Sequence, residues 1–379
     1  MYALQLTQSY CPAQADEELH DTTVGGVLRA AAAKWPNAPA LQEVDAEGNL
    51  GRQWTYAELL ADSERLALAL LTRHRPGERI AVWAPNIPEW VIAEFALGLA
   101  GLVLVTVNPG YQPRELKYVL EQSRAAGLFL INEFRGNPMA KIAAEVVADI
   151  PAIREVIDME DHAALFREAV PTGALPQVDP RDPVQIQYTS GTTGFPKGVV
   201  LHHHGITNNA RHFFARMGGM ERETVLSIMP LFHTAGCGIC ILGAVQYGHR
   251  IILPRIFDPA GAIAIIEREG VNFALGVPTN KDFLAAVLRD KRFANGDATT
   301  DFLSHFSIEG ALFGEWGGWS NNPAHRSRGS ERFFERNASQ DPRRLRGASD
   351  GRLEKPRARV ASASAMLWAS AGVRLIGLG

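Results

Sequence analysis

The chain alternates between short apolar runs and longer segments with helical periodicity over most of its length. The apolar runs lack polar alternation, which is typical of strands that are buried on both faces. The segments between them repeat apolar residues with the spacing of amphipathic helices. The pattern therefore predicts an α/β fold with mainly parallel sheets flanked by helices.

Individual elements follow from this pattern and from capping signals, such as the Thr55/Glu58 capping box. The predicted strands are 40–44, 51–54, 79–83, 102–107, 127–131, 183–188, 198–202, 225–229, 250–253 and 272–276. The predicted helices are 23–34, 56–73, 88–99, 113–122, 137–148, 205–217, 235–247, 259–269 and 279–288.

The pattern ends near Gly310, which predicts a domain over residues 1–310 and a basic, disordered tail over residues 311–379. From Trp316 onward, eleven Arg and one Lys stand against five acidic residues, so this part carries +7 and the preceding residues −10. A tail that contacts nucleic acid or an acidic surface is one interpretation. We favour another, an out-of-frame read of a GC-rich gene, which translation of the other two frames tests.

Composition narrows the class of protein. A hydrophobic fraction of 46% predicts a globular domain with ample core, and a net charge of −3 gives no reason to expect nucleic acid as its partner. Three cysteines are too few for a disulfide framework and indicate a reducing compartment. No secretory signal is evident, so we expect a cytoplasmic protein, with its oligomeric state left open.

Two stretches invite other interpretations. Cys237 and Cys240 have CxxC spacing, but their apolar surroundings predict core packing rather than redox or metal chemistry. Residues 90–107 are the most membrane-like stretch, yet Glu94 interrupts them. A core helix that leads into a buried strand explains them better than a transmembrane segment does. Peripheral contact with a membrane surface is left open.

One loop stands out by its composition, Tyr188-Thr189-Ser190-Gly191-Thr192-Thr193-Gly194-Phe195-Pro196-Lys197-Gly198. Glycines let backbone N–H groups approach phosphate oxygens closely, the hydroxyls add donors, and Lys197 adds a mobile positive charge. The loop therefore predicts a polyphosphate site. It differs from GxxxxGK[ST], because Gly198 and a strand follow the lysine. An ordinary Gly/Thr hairpin loop is the alternative.

Histidines raise two further questions. His233 follows a predicted strand and precedes a helix, a position where binding groups gather in parallel sheets, although it could simply cap that helix. His202, His203 and His204 are consecutive, and adjacent strand residues point to alternate faces. Three in a row therefore cannot all bind one ion, and we assign them no metal.

The loop resembles the signature of the adenylate-forming enzymes, the superfamily of acyl-CoA synthetases, luciferases and peptide-synthetase adenylation domains. The match is contiguous and specific, and the resemblance covers about residues 20–310. Met229-Pro230-Leu231-Phe232-His233-Thr234-Ala235-Gly236 resembles the next signature, and Gly276-Val277-Pro278-Thr279 resembles a segment at the acyl pocket. The sequence around these motifs is most similar to that of fatty acyl-CoA synthetases, medium-chain members especially.

The resemblance implies two half-reactions, in which a fatty acid and ATP form acyl-AMP and coenzyme A then displaces AMP. It implies Lys197 and His233 as catalytic residues, Thr193 as a ligand of Mg²⁺, and His233, Gly276 and Pro278 as contacts of the fatty acid. It also implies that the loop residues hold the β- and γ-phosphates of ATP, namely Thr189, Ser190, Gly191, Thr192, Thr193, Gly194 and Lys197.

Several parts of that family are missing from the sequence. We find no YGxTE segment, no TGD segment, no hinge and no small C-terminal domain with its lysine. We therefore expect a truncated N-terminal part with impaired activity. An aryl-CoA ligase or a peptide-synthetase adenylation domain is the rival within the enzyme class. A non-catalytic remnant or interaction protein with weak or no nucleotide binding is the alternative outside it.

Overall fold

The computed structural model describes residues 18–45, 48–166, 173–189, 196–276 and a strand at Arg359–Ser362. The strands are β1 (Pro39–Val44), β2 (Leu50–Thr55), β3 (Arg79–Trp83), β4 (Val103–Val107), β5 (Gly127–Leu130), β6 (Glu155–Asp158), β7 (Pro183–Thr189), β8 (Lys197–His202), β9 (Thr224–Leu226), β10 (Arg250–Pro254), β11 (Phe273–Gly276) and β12 (Arg359–Ser362). The helices are α1 (Val24–Lys34), α2 (Tyr56–Leu71), α3 (Pro88–Ala100), α4 (Pro113–Ser123), α5 (Met139–Val147), α6 (His162–Leu165), α7 (His203–Arg216), a π-helical segment (Ala235–Ile241), α8 (Leu242–Gln246) and α9 (Pro259–Glu269).

The strands form two six-stranded sheets, each parallel except at one edge. Sheet A has the order β12-β11-β9-β10-β1-β2, with β2 antiparallel to β1. Sheet B has the order β6-β5-β3-β4-β7-β8, with β8 antiparallel to β7. The predicted α/β class with mainly parallel, helix-flanked sheets is confirmed.

Sheet B reverses its direction of growth at β3. The chain passes from β3 to β4 on one side and then crosses to β5 on the other side. Strand β7 next joins the far edge of β4. Crevices that bind ligands form where strand order reverses, beyond the carboxyl ends of parallel strands. The carboxyl ends of β3, β4 and β7 therefore mark the edge of sheet B at which a site is expected.

Helix α3 lies at the centre of the core. All of its residues are buried, and it contacts β1 of sheet A and β4 of sheet B. Pro88 occupies its first turn, and Gly101 ends it with a left-handed φ of 67°. The prediction of a core helix leading into a buried strand over residues 90–107 is confirmed. In the described parts of the chain, no helix is long and apolar enough to span a membrane.

The predicted helix at 235–247 is present, but its first half, Ala235–Ile241, is π-helical rather than α-helical. A Cβ on Gly236 would collide with the carbonyl oxygen of Pro230, and one on Gly238 would lie 3.0 Å from Ile206 and Thr234. The backbone therefore approaches its neighbours more closely here than a residue with a Cβ would allow. Widened turns of this kind occur frequently at functional sites.

Other differences concern short elements. Strand β6 and the four-residue helix α6 were not predicted, and β9 ends at Leu226, three residues before the predicted end at Met229. Of the predicted tail, the structure describes Arg359–Ser362, which pairs with β11 in parallel. The predicted helix at 279–288 and the rest of the tail lie outside the described residues.

Candidate active site

The predicted phosphate loop connects two strands of an antiparallel hairpin. Strand β7 ends at Thr189, which pairs with Lys197 at the start of β8. The ladder thus places the first hydroxyl residue of the motif directly opposite its lysine. Five residues that we predicted to bind phosphate lie outside the described residues: Ser190, Gly191, Thr192, Thr193 and Gly194.

Lys197 is exposed at the mouth of this loop. An exposed ammonium on a four-carbon stem is a mobile point charge, which suits the varied positions of phosphate oxygens. Opposite it, Thr189 is half-buried and offers a hydroxyl that both donates and accepts. The two strand ends that flank the loop therefore carry one hydroxyl and one cationic side chain on paired residues.

Helix α4 holds the exit of the loop. The Tyr118 hydroxyl donates to the carbonyl oxygen of Pro196 at 3.0 Å, and Gln122 Nε2 donates to the Tyr118 oxygen at 2.8 Å. Gly198 follows directly, and a Cβ there would lie only 3.2 Å from Ile186. Pro196 is thus anchored just before the lysine. Sequence reasoning missed Tyr118, because nothing in a helix sequence shows which carbonyl its hydroxyl will reach.

His233 is exposed and follows the end of β9 by seven residues. Its Nδ1 accepts a hydrogen bond from the Ala235 N–H at 3.1 Å, so the neutral ring carries its proton on Nε2. Surrounding protein disfavours the charged ring and lowers the pKa of His233. The ring therefore caps the following helical segment, which was the alternative interpretation of this histidine. The cap occupies only Nδ1, so Nε2 is left as a neutral donor.

Asn86 clamps the segment before His233. The buried side chain lies beyond the carboxyl end of β3, where its Nδ2 donates to the Met229 carbonyl oxygen at 3.0 Å and its Oδ1 accepts from the Leu231 N–H at 2.9 Å. One amide from sheet B therefore fixes the backbone on both sides of Pro230. Its position after a buried strand was an available signal that we missed.

Gly276 ends β11 in sheet A, and β11 pairs with β9, the strand that leads to His233. Parallel neighbours end at the same edge, so the structure brings the backbone of Gly276 to the sheet edge from which the His233 segment departs. Pro278, the other predicted contact of the fatty acid, lies outside the described residues.

The three consecutive histidines have separate structural partners. His202 Nδ1 accepts from the Gly205 N–H at 2.9 Å and caps α7. His203 Nδ1 accepts from the Val24 N–H at 3.1 Å, which ties α7 to the start of α1, and burial lowers its pKa to about 4. His204 Nε2 lies 3.5 Å from Asp21. The described residues contain no group of three or more His, Cys, Asp or Glu side chains that could hold a metal ion.

Both cysteines of the CxxC pair are unpaired and buried in the π-helical segment. Burial raises the pKa of Cys240 to about 11, and it raises that of Cys237 well above its ordinary value. Neither thiol is therefore ionised near neutral pH, and the prediction of core packing is confirmed.

Comparison with known proteins agrees with these motifs and with the fold. Residues 28–327 match the family of AMP-binding enzymes, a span that includes the phosphate loop and the His233 segment. The chain belongs to this family. The predicted resemblance to the adenylate-forming superfamily is thereby confirmed.

The AMP-binding chain spans about half the length of the curated relatives that it matches. It is 31% identical over 290 residues to a Bacillus subtilis protein named as the acyl-CoA synthetase YngI. The match covers 69% of this chain and 52% of that protein. It is 30% identical over 307 residues to the mitochondrial medium-chain acyl-CoA ligase ACSF2 of Danio rerio, with 72% and 50% covered.

Solved structures share its fold. The N-terminal domain of FACL13 from Mycobacterium tuberculosis in an inhibitor-bound crystal has a TM-score of 0.62 and 27% identity, with 72% of this chain and 66% of that chain covered. MbtA from Mycobacterium smegmatis also has a TM-score of 0.62, with 29% identity and 71% and 50% covered. The AMP-binding chain therefore has the architecture of an N-terminal domain of adenylate-forming enzymes.

Proposed function

We propose that this AMP-binding protein activates a fatty acid with ATP and transfers the acyl group to coenzyme A. A carboxylate oxygen attacks the α-phosphorus of ATP, the bond to pyrophosphate breaks, and acyl-AMP results. The thiolate of coenzyme A then attacks the acyl carbon and expels AMP. The register of the hairpin carries this proposal, because it sets Thr189 opposite an exposed Lys197 at the mouth of the phosphate loop.

Phosphoryl chemistry needs positioning and neutralisation of charge more than covalent help. Lys197 would neutralise phosphate oxygens, and the hydroxyl of Thr189 would donate to them. We assign the β- and γ-phosphates to the loop between these residues, that is to Ser190, Gly191, Thr192, Thr193 and Gly194. Mg²⁺, when bound with ATP, would neutralise further phosphate charge, and Thr193 is the residue that we assign to it.

The acyl pocket is assigned to the segment after β9 and to the end of β11. His233 offers a neutral Nε2–H donor for a carboxylate, while Gly276 and Pro278 would line the apolar part. The names of the relatives favour fatty acids, including medium-chain acids. An aryl acid or an amino acid, as in the rival classes, would be distinguished by the same substrate series that measures chain length.

A second candidate function rests on a specific observation. Loop composition alone does not establish nucleotide binding, because a Gly/Thr-rich segment between two antiparallel strands is also an ordinary hairpin loop. The alternative is a non-catalytic remnant that binds nucleotide weakly or not at all. We include a cytoplasmic location in the proposal, although the Danio rerio relative is named as mitochondrial. Cell fractionation decides the location.

Fatty-acid-dependent exchange of labelled pyrophosphate into ATP tests the proposal, using the full chain and acids of graded length. Lys197→Ala should reduce exchange by about a hundredfold, the typical effect of losing one transition-state donor. Lys141→Ala, which removes an exposed lysine from α5, is the matched control and should exchange like the parent chain. No exchange from a folded parent chain would favour the remnant, and equal exchange by both variants would contradict the assignment of the loop.

A further inference from the structure

A buried polar network lies beneath the candidate site. Five side chains that form hydrogen bonds are enclosed in an otherwise apolar core and come from α3, β4, β7 and the π-helical segment. They are Glu94, Thr106, Gln185, Gln187 and Cys237.

The two glutamines lie at the centre of this network. They are two residues apart on β7, so their side chains share one face of sheet B. Gln187 Nε2 donates to Gln185 Oε1 at 2.9 Å and lies 3.2 Å from the sulfur of Cys237. Thr106 on β4 donates to Gln187 Oε1 at 3.1 Å. Gln185 Nε2 donates to Glu94 Oε1 at 2.5 Å.

The network connects the two halves of the site. Gln187 precedes Thr189, the first phosphate-loop residue, by two positions on the same strand. At the other end, the Cys237 N–H donates to the His233 carbonyl oxygen at 3.2 Å, and the Cys237 sulfur lies 3.6 Å from that oxygen. Two successive links, from Gln187 to Cys237 and from Cys237 to His233, therefore connect β7 to the residue assigned to the acyl pocket.

Stability alone does not explain why such a network is present. Burying polar groups requires complete pairing to offset their desolvation, and apolar side chains of similar volume often stabilise a core equally well. Within the described residues, Glu94 Oε2 has no hydrogen-bond partner. What a directional network can add is a defined arrangement of the elements that it joins.

We propose that Gln187 and Cys237, supported by Gln185, Glu94 and Thr106, are positioning residues that set the His233 segment relative to the strand carrying the phosphate loop. The inference rests on the proposed function, since it concerns the alignment of a carboxylate at His233 with ATP on the loop. Misalignment by about 1 Å can lower a rate a hundredfold without removing any group that touches substrate.

Cysteine variants test the network with a closely matched control. Cys237→Ala removes the thiol, Cys237→Ser keeps a donor, and Cys240→Ala makes the same truncation in the same buried segment outside the network. We expect Cys237→Ala to lower the kcat of pyrophosphate exchange by roughly tenfold to a hundredfold, with the KM values for ATP and fatty acid within about twofold. Cys237→Ser should recover most of kcat, and Cys240→Ala should change it less than about twofold.

Equal losses of kcat in Cys237→Ala and Cys240→Ala, accompanied by equal losses in melting temperature, would overturn the proposal in favour of simple packing. So would a Cys237→Ser variant as slow as Cys237→Ala.

A second measurement needs no activity and separates this inference from the proposed function. Gln187→Met keeps the side-chain length but removes the amide that contacts Cys237. The π-helical segment should then be held less firmly against β7. Amide hydrogen exchange in a peptide over residues 233–241 should then accelerate by about fivefold or more, while α5 stays unchanged. Unchanged exchange in that peptide overturns the inference even if the parent chain is inactive. Accelerated exchange in an inactive parent chain refutes only the proposed function.

Discussion

Glu94 provides a quantitative test of the buried network. The carboxyl group is enclosed in the fully buried helix α3 and accepts one hydrogen bond, from Gln185. Desolvation raises its pKa from 4.5 to about 8, so it is uncharged at neutral pH. Its titratable neighbour in the network, Cys237, is also neutral, because burial raises the pKa of the thiol. Glu94→Gln should therefore mimic the protonated side chain.

The sign of the pH effect follows from the protons bound in each state. The unfolded chain releases the Glu94 proton near pH 4.5, whereas the folded chain holds it to about pH 8. Between these values the unfolded state binds fewer protons, so each pH unit lowers the free energy of unfolding by about 1.4 kcal/mol. At pH 7 the accumulated loss is about 3 kcal/mol, a large share of the typical stability of a domain. Glu94→Gln removes this loss.

Urea unfolding of both chains at pH 5, 6, 7 and 8 measures the effect. The stability difference between Glu94→Gln and the parent chain should grow in favour of the variant by roughly 2 to 3 kcal/mol from pH 5 to pH 7. Taking the difference cancels the titration of every shared group. Glu145→Gln, at an exposed position of α5, is the control for the substitution itself and should change the free energy of unfolding by less than about 0.5 kcal/mol. A constant difference for Glu94→Gln would refute the protonated, desolvated carboxyl group.

Two further predictions concern the segment before His233. Asn86→Ala leaves two buried backbone groups unpaired and should lower the free energy of unfolding by about 3 kcal/mol in urea titrations, whereas the exposed Asn132→Ala should lower it by less than about 1 kcal/mol. Gly236→Ala forces a Cβ against a backbone carbonyl and should destabilise by about 1 to 3 kcal/mol in thermal melts, with Gly173→Ala as the uncrowded control. Equal effects within either pair would contradict the packing described.

The sequence predicted regular elements best where local signals agreed with tertiary structure. Strand β3 and helix α9 have the predicted bounds, because a continuous apolar run defines the first and Pro259 with Gly270 delimits the second. Strand β6 was missed, since its sequence Glu-Val-Ile-Asp carries one buried side chain, Ile157, on a partly exposed edge. So short a segment with so little burial has no clear periodic signal.

In the candidate site too, sequence motifs pointed to some residues, whereas others depend on tertiary contacts. Thr189, Lys197 and His233 could be found because their chemistry is concentrated in short contiguous motifs. The position of Asn86 after β3 was a signal, but its partners were not, and the Tyr118 anchor had no signal at all. Each side chain reaches backbone groups that are far away in sequence. The π-helical geometry likewise depends on contact between Gly236 and a preceding loop. Such contacts exist only in the folded chain.

The paired ends of the β7–β8 hairpin have a consequence for how this site can evolve or be engineered. Thr189 and Lys197 are fixed opposite each other by the ladder, and Tyr118 secures the residue before the lysine. Any sequence between them has to connect the same two end points. Lengthening a loop adds little to its closure free energy. Changes of sequence in this loop should therefore alter ligand preference with little loss in the free energy of unfolding. A library confined to this span would vary the chemistry presented to a nucleotide while leaving the strand register unchanged.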